Sequence, residues 1–501
     1  MRHGFKLLPV ATFAATLLAS GLASADTLLQ IYEKAVRSDP LVREAEANKL
    51  ATQEGKPIAR GSLLPQVNGR YNINETSADG STVTTLGNAP PVPRLIDSRD
   101  YDANFWSLEL RQSVFRWDQW VRLSQAGKQS AQADVDYEAA QQDLAVRTAE
   151  AYFNVLAAED TLASEQAAKD AIGRQLEQAQ KRFEVGLIAI TDVQEAQAAY
   201  DQALAAEILA KRALANQQEV LRTIIDETPP ALAKPAEELP LRSPDPADAN
   251  QWVDLAMQQN RSLISSQIGS EIAKDDVSIA RTGHFPTVDF VATRNNTDNT
   301  GFSRSPCINN PATPYSPAVN TCFEDSNPIP DGTLLRYGTG TDLENDSLSL
   351  QFALPIFAGG STSARVQQAV YQHRAARERL ERTARETERQ TRDAYLGVIS
   401  GISRVQALKQ AFESAKTALK ATEAGYEVGT RTTVDVLDAR RTVFTAETNY
   451  LRSRYDYLIN GLRLKQAAGT LTVEDIAAID AMLSGTATEA ELPGKPVPAT
   501  N

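Results

Sequence analysis

This 501-residue sequence predicts a mainly α fold built twice, a long antiparallel coiled coil carrying a small membrane β-sheet. Three observations carry that prediction. Arg182-Phe-Glu-Val-Gly186 is followed by Asp192-Val193 and Ala196, and roughly 240 residues later Gly425-Tyr-Glu-Val-Gly429 is followed by Asp435-Val436 and Ala439. Each copy closes a long stretch of 3.5-residue periodicity. Each long stretch is preceded by segments that alternate apolar and polar residues.

The repeat comes first because it says that one architectural unit occurs twice. In the first copy, apolar or small residues step by fours and threes through Leu144, Thr148, Ala151, Val155, Ala158 and Leu162. They resume at Ile172, Leu176, Ala179 and Phe183, with Glu165 and Lys169 filling the seam between. The second copy gives Tyr395, Val398, Ile402, Val405, Phe412 and Leu419. A sustained 3.5 spacing is the mark of coiled-coil packing. Each helix is expected to run about 65 residues, ~100 Å at 1.5 Å per residue. After the Gly of each repeat a return helix is expected, Thr191 to about Ile225 and Thr432 to about Ala468. These are about half as long, and two further amphipathic segments, Asp26–Arg60 and Asp248–Gly283, supply the missing length.

The alternating segments are Trp106–Val114 and Leu348–Ile356. One face of the first carries Trp106, Leu108, Leu110 and Val114; one face of the second carries Leu348, Leu350, Phe352, Leu354 and Ile356. Their weaker partners hold Val67, Tyr71 and Ile73, and Val288 and Phe290. Period-2 alternation over about ten residues suits a strand between lipid and water. A half-exposed sheet of a soluble sandwich alternates in the same way. With so long a coiled coil and only four such strands, that sandwich is harder to build. Four strands do not close a pore, since bacterial barrels begin at about eight. Several chains must share one barrel, which calls for a cyclic homo-oligomer.

The N-terminus reads as a secretory signal peptide over residues 1–25: Arg2 and Lys6, an apolar run from Leu7, and an Ala23-Ser24-Ala25 exit. Its removal lowers the basic count from 51 to 49 against 64 acids, so the charge becomes −15 and nucleic acid is an improbable partner. No later stretch is long and apolar enough for a transmembrane helix. Residues 26–227 form the first repeat, 228–247 a Pro-rich linker, 248–483 the second repeat and 484–501 a disordered tail. Polar stretches from Glu75 to Asp102 and from Asn295 to Asn345 read as external loops. The second holds the only cysteines, Cys307 and Cys322, expected to pair in an oxidising compartment.

Taken together, these residues resemble the TolC family of outer-membrane efflux channels over essentially the whole mature chain. The resemblance rests on Leu63-Leu-Pro-Gln66, Leu354-Pro-Ile-Phe-Ala-Gly-Gly360, Gly425–Ala439, and Tyr457-Leu-Ile-Asn460 through Gly469-Thr-Leu471. It implies a homotrimer whose twelve strands close one 12-stranded barrel in the outer membrane. Twelve helical strands continue it as a coiled-coil α-barrel across the periplasm. It implies a tip held shut by a polar network, with Thr191 and Asp192 facing Tyr426 and Arg431, and Gln175 matched with Glu423. Asp435 and Asp438 match acidic rings at the narrow entrance. Gly186 and Leu187, with Gly429 and Thr430, match turns grasped by a periplasmic adaptor (membrane fusion) protein, through which an inner-membrane pump is reached. No cofactor or metal is implied.

The residue chemistry agrees with that picture. Asp435 and Asp438 are i and i+3 on one helix, so they share a face, and three copies gather six carboxylates able to attract cations. Catalysis finds little support: there are three His, and no nucleophile elbow, zinc-protease or phosphate-loop motif occurs. The competing non-enzymatic reading is a trimeric coiled-coil adhesin or structural stalk without transport.

Overall fold

The computed structural model describes residues 25–84, 92–236, 239–306, 323–324, 327–328 and 334–483. The expected signal peptide falls outside them except for Ala25, and Cys307, Cys322 and the tail from 484 fall outside them entirely. The helices are α1 (Leu28–Ser38), α2 (Pro40–Gln53), α3 (Gly55–Gly61), α4 (Trp117–Glu184), α5 (Ile190–Ile225), α6 (Ala249–Gln259), α7 (Arg261–Thr282), α8 (Ser361–Glu427), α9 (Thr433–Ala468) and α10 (Val473–Leu483). The chain divides into two units, one of residues up to 50, 132–267 and from 378 on, the other of residues 51–131 and 268–377. Each draws on both repeats.

The long helices α4 and α8, whose larger parts belong to the first unit, have 68 and 67 residues, and the return helices, wholly in that unit, 36 each, as the periodicity predicts. The expected half-length segments are helical but broken. The residue at each break ends one 11-residue helix and caps the next. At Asp39 the carboxylate accepts from the Val42 N–H at 3.0 Å, and at Asn260 the amide oxygen accepts from Leu263 N–H at 3.0 Å. The duplication therefore extends to a capping device in which Asp and Asn do one job.

The core of this unit lies where α1, α4, α5, α9 and α10 meet. Leu28, Ile31, Leu144, Tyr152, Phe153, Leu156, Leu221, Leu462 and Ile476 are all essentially solvent-free. The expected seam of α4 is buried at Leu144, Thr148, Ala151 and Val155, and again at Ile172, Leu176 and Ala179. Lys169, the polar seam residue, reaches across to α5 and pairs with the buried Glu207 at 3.0 Å. The Pro-rich stretch after α5 is strapped down rather than free. Asp26 N–H donates to Ala231 O at 2.8 Å, Ala233 N–H returns to Asp26 O at 3.0 Å, and the Tyr152 hydroxyl donates to Ala233 O at 2.6 Å.

In the second unit, β1 (Gln66–Thr84), β2 (Val92–Phe115), β3 (Thr287–Pro306) and β6 (Leu334–Ala353) form one antiparallel sheet in the order β1-β2-β3-β6. A short hairpin, β4 (Phe323–Glu324) with β5 (Asn327–Pro328), stands apart from it. The register puts Val67, Leu110, Ala292 and Leu348 in one row on one face, and Asn68, Glu109, Thr293 and Ser347 in the next row on the other. The apolar sides expected separately for four segments thus coincide.

Two expectations are corrected here. The strands are 19 to 24 residues long, about twice the ten expected, so most of Glu75–Asp102 and much of Asn295–Asn345 is ladder, not loop. Polar side chains hid this, because the upper half of the sheet has no apolar alternation to reveal it. The last strand also ends at Ala353, short of Ile356, because Pro355 has no N–H for the ladder. Further along the sheet, the rows containing Tyr71 and Trp106 on β1 and β2 continue into Asn296 and Glu344 on β3 and β6. The apolar border therefore crosses the strands obliquely, as it does when strands tilt through a bilayer. Exposed Phe115, Trp117, Trp120, Phe285 and Phe357 gather where strands give way to helices, the composition of an interfacial aromatic girdle. Among the described residues no helix is long and apolar enough to cross a membrane.

Candidate gate at the helical tips

The tips of the first unit are the two hairpin turns α4–α5 and α8–α9. Both are Schellman closures. At the first, Gly186 N–H donates to Phe183 O and Leu187 N–H to Arg182 O, both at 2.9 Å; at the second, Gly429 N–H donates to Tyr426 O at 3.1 Å and Thr430 N–H to Gly425 O at 2.8 Å. Gly186 and Gly429 have φ of 77° and 81°, the left-handed region that side chains avoid, which is why the repeat keeps Gly there. Around them Val185, Leu187 and Val428 are exposed by 69, 68 and 76 %.

Tyr426 joins the two hairpins. Its hydroxyl accepts from Arg182 Nη1 at 2.8 Å and from Thr433 Oγ1 at 3.4 Å, and the guanidinium lies 5.4 Å from the ring centroid. Arg182 opens the first copy of the repeat, where the second copy has Gly425. A Cβ on Gly425 would stand 2.8 Å from Arg431 Cγ, so the glycine leaves room for the Arg431 stem to lie against the helix end. Thr191 is exposed and Asp192 half-buried in the first turn of α5. Among the described residues no hydrogen bond or ion pair joins either of them to Tyr426 or Arg431 within this chain.

Asp435 is held by its own helix. Thr432 is the N-cap of α9, and the Asp435 carboxylate accepts from the Thr432 N–H at 2.8 Å and hydroxyl at 3.0 Å, closing a capping box. Those bonds, the backbone one foremost, keep the Asp435 carboxyl below the usual carboxylate range, with Arg431 adding to the effect. Asp438, one turn on, is exposed and has no cap to serve.

Higher up, Gln175 is buried and its amide nitrogen has no acceptor. Glu423 is taken by another partner, Arg440, whose Nη2 and Nε reach Glu423 Oε1 at 2.8 and 3.1 Å while Nη1 reaches Ala171 O at 3.3 Å. Sequence reasoning missed Arg182 and Arg440. The available signal was the mismatch between the copies, Arg182 against Gly425 and Gln197 against Arg440. Among the described residues no group of three or more His, Cys, Asp or Glu could hold a metal ion.

Comparison with known proteins adds to this geometry. The family model described as outer membrane efflux protein matches residues 31–226 and 252–470. Outer membrane protein TolC of Vibrio cholerae is 36 % identical over 480 residues, covering 95 % of this chain and 98 % of the relative. The alkaline protease secretion protein AprF of Pseudomonas aeruginosa is 28 % identical over 459 residues, covering 91 and 86 %. The Campylobacter jejuni CmeC outer membrane channel superposes with a TM-score of 0.67 at 15 % identity, covering 96 % of this chain and 98 % of that one. Nearly all of the chain is matched both by sequence and by fold. It belongs to the outer membrane efflux protein family, whose members are conduits of the outer membrane rather than enzymes.

Proposed function

We propose that this outer-membrane exit duct works as a homotrimer, the passive last section of a tripartite efflux or type I secretion pathway. Three four-stranded sheets close one 12-stranded barrel in outer-membrane lipid. A periplasmic adaptor protein grasps the tips, and an inner-membrane pump acts through it. The observation that carries the reading is the pair of duplicated tips. Their turns expose Val185, Leu187 and Val428, side chains suited to an apolar partner, while Tyr426 and Arg182 tie the hairpins just behind. The adhesin alternative gives no reason for helices that double back at two matched glycine turns.

The gate, in this reading, is the set Gln175, Thr191, Asp192, Glu423, Tyr426 and Arg431, with the contacts of Thr191 and Asp192 made to a neighbouring protomer. Asp435 and Asp438 form stacked acidic rings at the same periplasmic mouth. Six carboxylates near one axis repel one another and are relieved by cations. Because Asp435 is already committed to its capping box, Asp438 is the freer ligand. The test is block of single-channel current by a multivalent cation added on the periplasmic side. Wild type is blocked and cation-selective; Asp435→Ala with Asp438→Ala loses both properties together. Retention of full block by that double variant would place the narrowest point elsewhere. Tyr426→Phe with Arg431→Ser raises conductance while leaving the trimer intact.

A further inference from the structure

Arg440 occupies the place at which the family resemblance sets a tie between Gln175 and Glu423. It reaches two elements at once: the Glu423 carboxylate on α8 and the main-chain carbonyl of Ala171 on α4. Ala171 is one helical turn from Gln175, whose own N–H is the α-helical donor to the same carbonyl. Glu423 is three residues before Tyr426, so the two share a face of α8. Counted on α8, the Arg440 contact stands one turn behind the Arg182–Tyr426 contact, while on α4 Ala171 and Arg182 are eleven residues apart; both contacts join the α8–α9 hairpin to α4.

We propose that Arg440 is a latch residue of the periplasmic gate, which holds the α8–α9 hairpin against α4 inside each protomer in the closed state. The proposal rests on the duct reading above. Three features support it beyond the distances. The pair is partly exposed, Arg440 by 22 % and Glu423 by 38 % of their side chains, so the guanidinium is shielded more than the carboxylate. A guanidinium spans two acceptors on different helices, which a lysine does not. The arm exists in one repeat only: Gln197, the counterpart of Arg440, turns to Asp201 on its own helix at 3.0 Å. The latch is thus an addition to one hairpin rather than a relic of the duplication. It also accounts for the buried Gln175 amide nitrogen that has no acceptor, since Arg440 holds Glu423 instead.

The test is conductance of the full-length protein in planar bilayers, with native mass as a check on assembly. The variants are Arg440→Gln, Arg440→Lys and the exchange Glu423→Arg/Arg440→Glu, beside Tyr426→Phe/Arg431→Ser as the reference. Arg440→Gln is expected to raise the open fraction about tenfold, the effect of losing roughly one charged hydrogen bond. Arg440→Lys falls between it and wild type, and the exchange, which rebuilds the ion pair within the hairpin but leaves the Ala171 carbonyl without a donor, opens much as Arg440→Gln does. If the reference pair opens the channel while Arg440→Gln conducts as wild type, the latch is overturned and the duct reading stands. An exchange that conducts as wild type also overturns it, because the ion pair within the hairpin then suffices without the reach to α4. If wild type and every variant fail to conduct, the duct reading itself falls and takes the latch with it. Should Arg440→Gln fail to assemble, the lysine and exchange variants decide both points in the same way.

Discussion

Asp39 is a charged residue only 2 % exposed, and its surroundings show how this chain tolerates that. Burial alone would raise its pKa, but Arg147 at 3.1 and 3.3 Å and the Val42 N–H outweigh it and hold the carboxyl below its ordinary value. Replacing Arg147 with Ala leaves a buried charge without its partner, a loss of about 3–5 kcal/mol. The apparent thermal midpoint of that variant, followed by circular dichroism, is expected to fall sharply. The pH dependence has a definite sign. A depressed folded-state pKa contributes stability that is full above the unfolded carboxylate value, about 3.9, and lost as pH falls through the lower folded value. In Asp39→Asn this acid-side loss is smaller. An Asp39→Asn profile as steep as wild type would assign the acid sensitivity to other carboxylates. None of this was legible in the sequence, where Asp39 and Arg147 are 108 positions apart and neither breaks a pattern.

At the scale of elements, the helices were legible and their interruptions were not. Heptad spacing marks α4 and α8 because a buried seam must recur every 3.5 residues whatever lies around it. The breaks at Asp39 and Asn260 depend on one capping side chain each, too small a signal to separate from a continuous amphipathic run. The lengths of the strands were missed for a related reason: alternation is visible only where one face meets lipid. The ends of the return helices show the same local logic. α5 ends at Asp226 with φ of 55° and α9 at Gly469 with φ of 76°, both left-handed. A Cβ on Gly469 would lie 2.1 Å from Gln259 O, a backbone atom that does not yield. Asp226 already carries a Cβ. Gly469→Ala is therefore expected to destabilise by clearly more than the roughly 1–2 kcal/mol of a left-handed backbone alone. Asp226→Ala should change stability much less. Equal thermal shifts for the two variants would show that backbone strain, not the Gln259 contact, sets the cost.

For the whole molecule, the main sheet among the described residues has four strands and is open, with β1 and β6 at its edges. Unpaired edges of 19 and 20 residues invite pairing with further copies. Native mass spectrometry of the detergent-purified protein should give three chains per particle, and a stable monomer would leave those edges unexplained. The membership of the chain in its family was legible from the repeated motif and the strand signatures. The contacts of Arg182 and Arg440 were not, because both are made to neighbours on other helices.

The measurement that tests the central claim most directly is current through a planar bilayer holding the purified wild-type protein. The account predicts discrete steps of small, cation-preferring conductance, small because the tips are latched, and larger steps when Tyr426 and Arg431 are replaced together. Correctly assembled trimers that carry no current, with the tip contacts intact or removed, would contradict it.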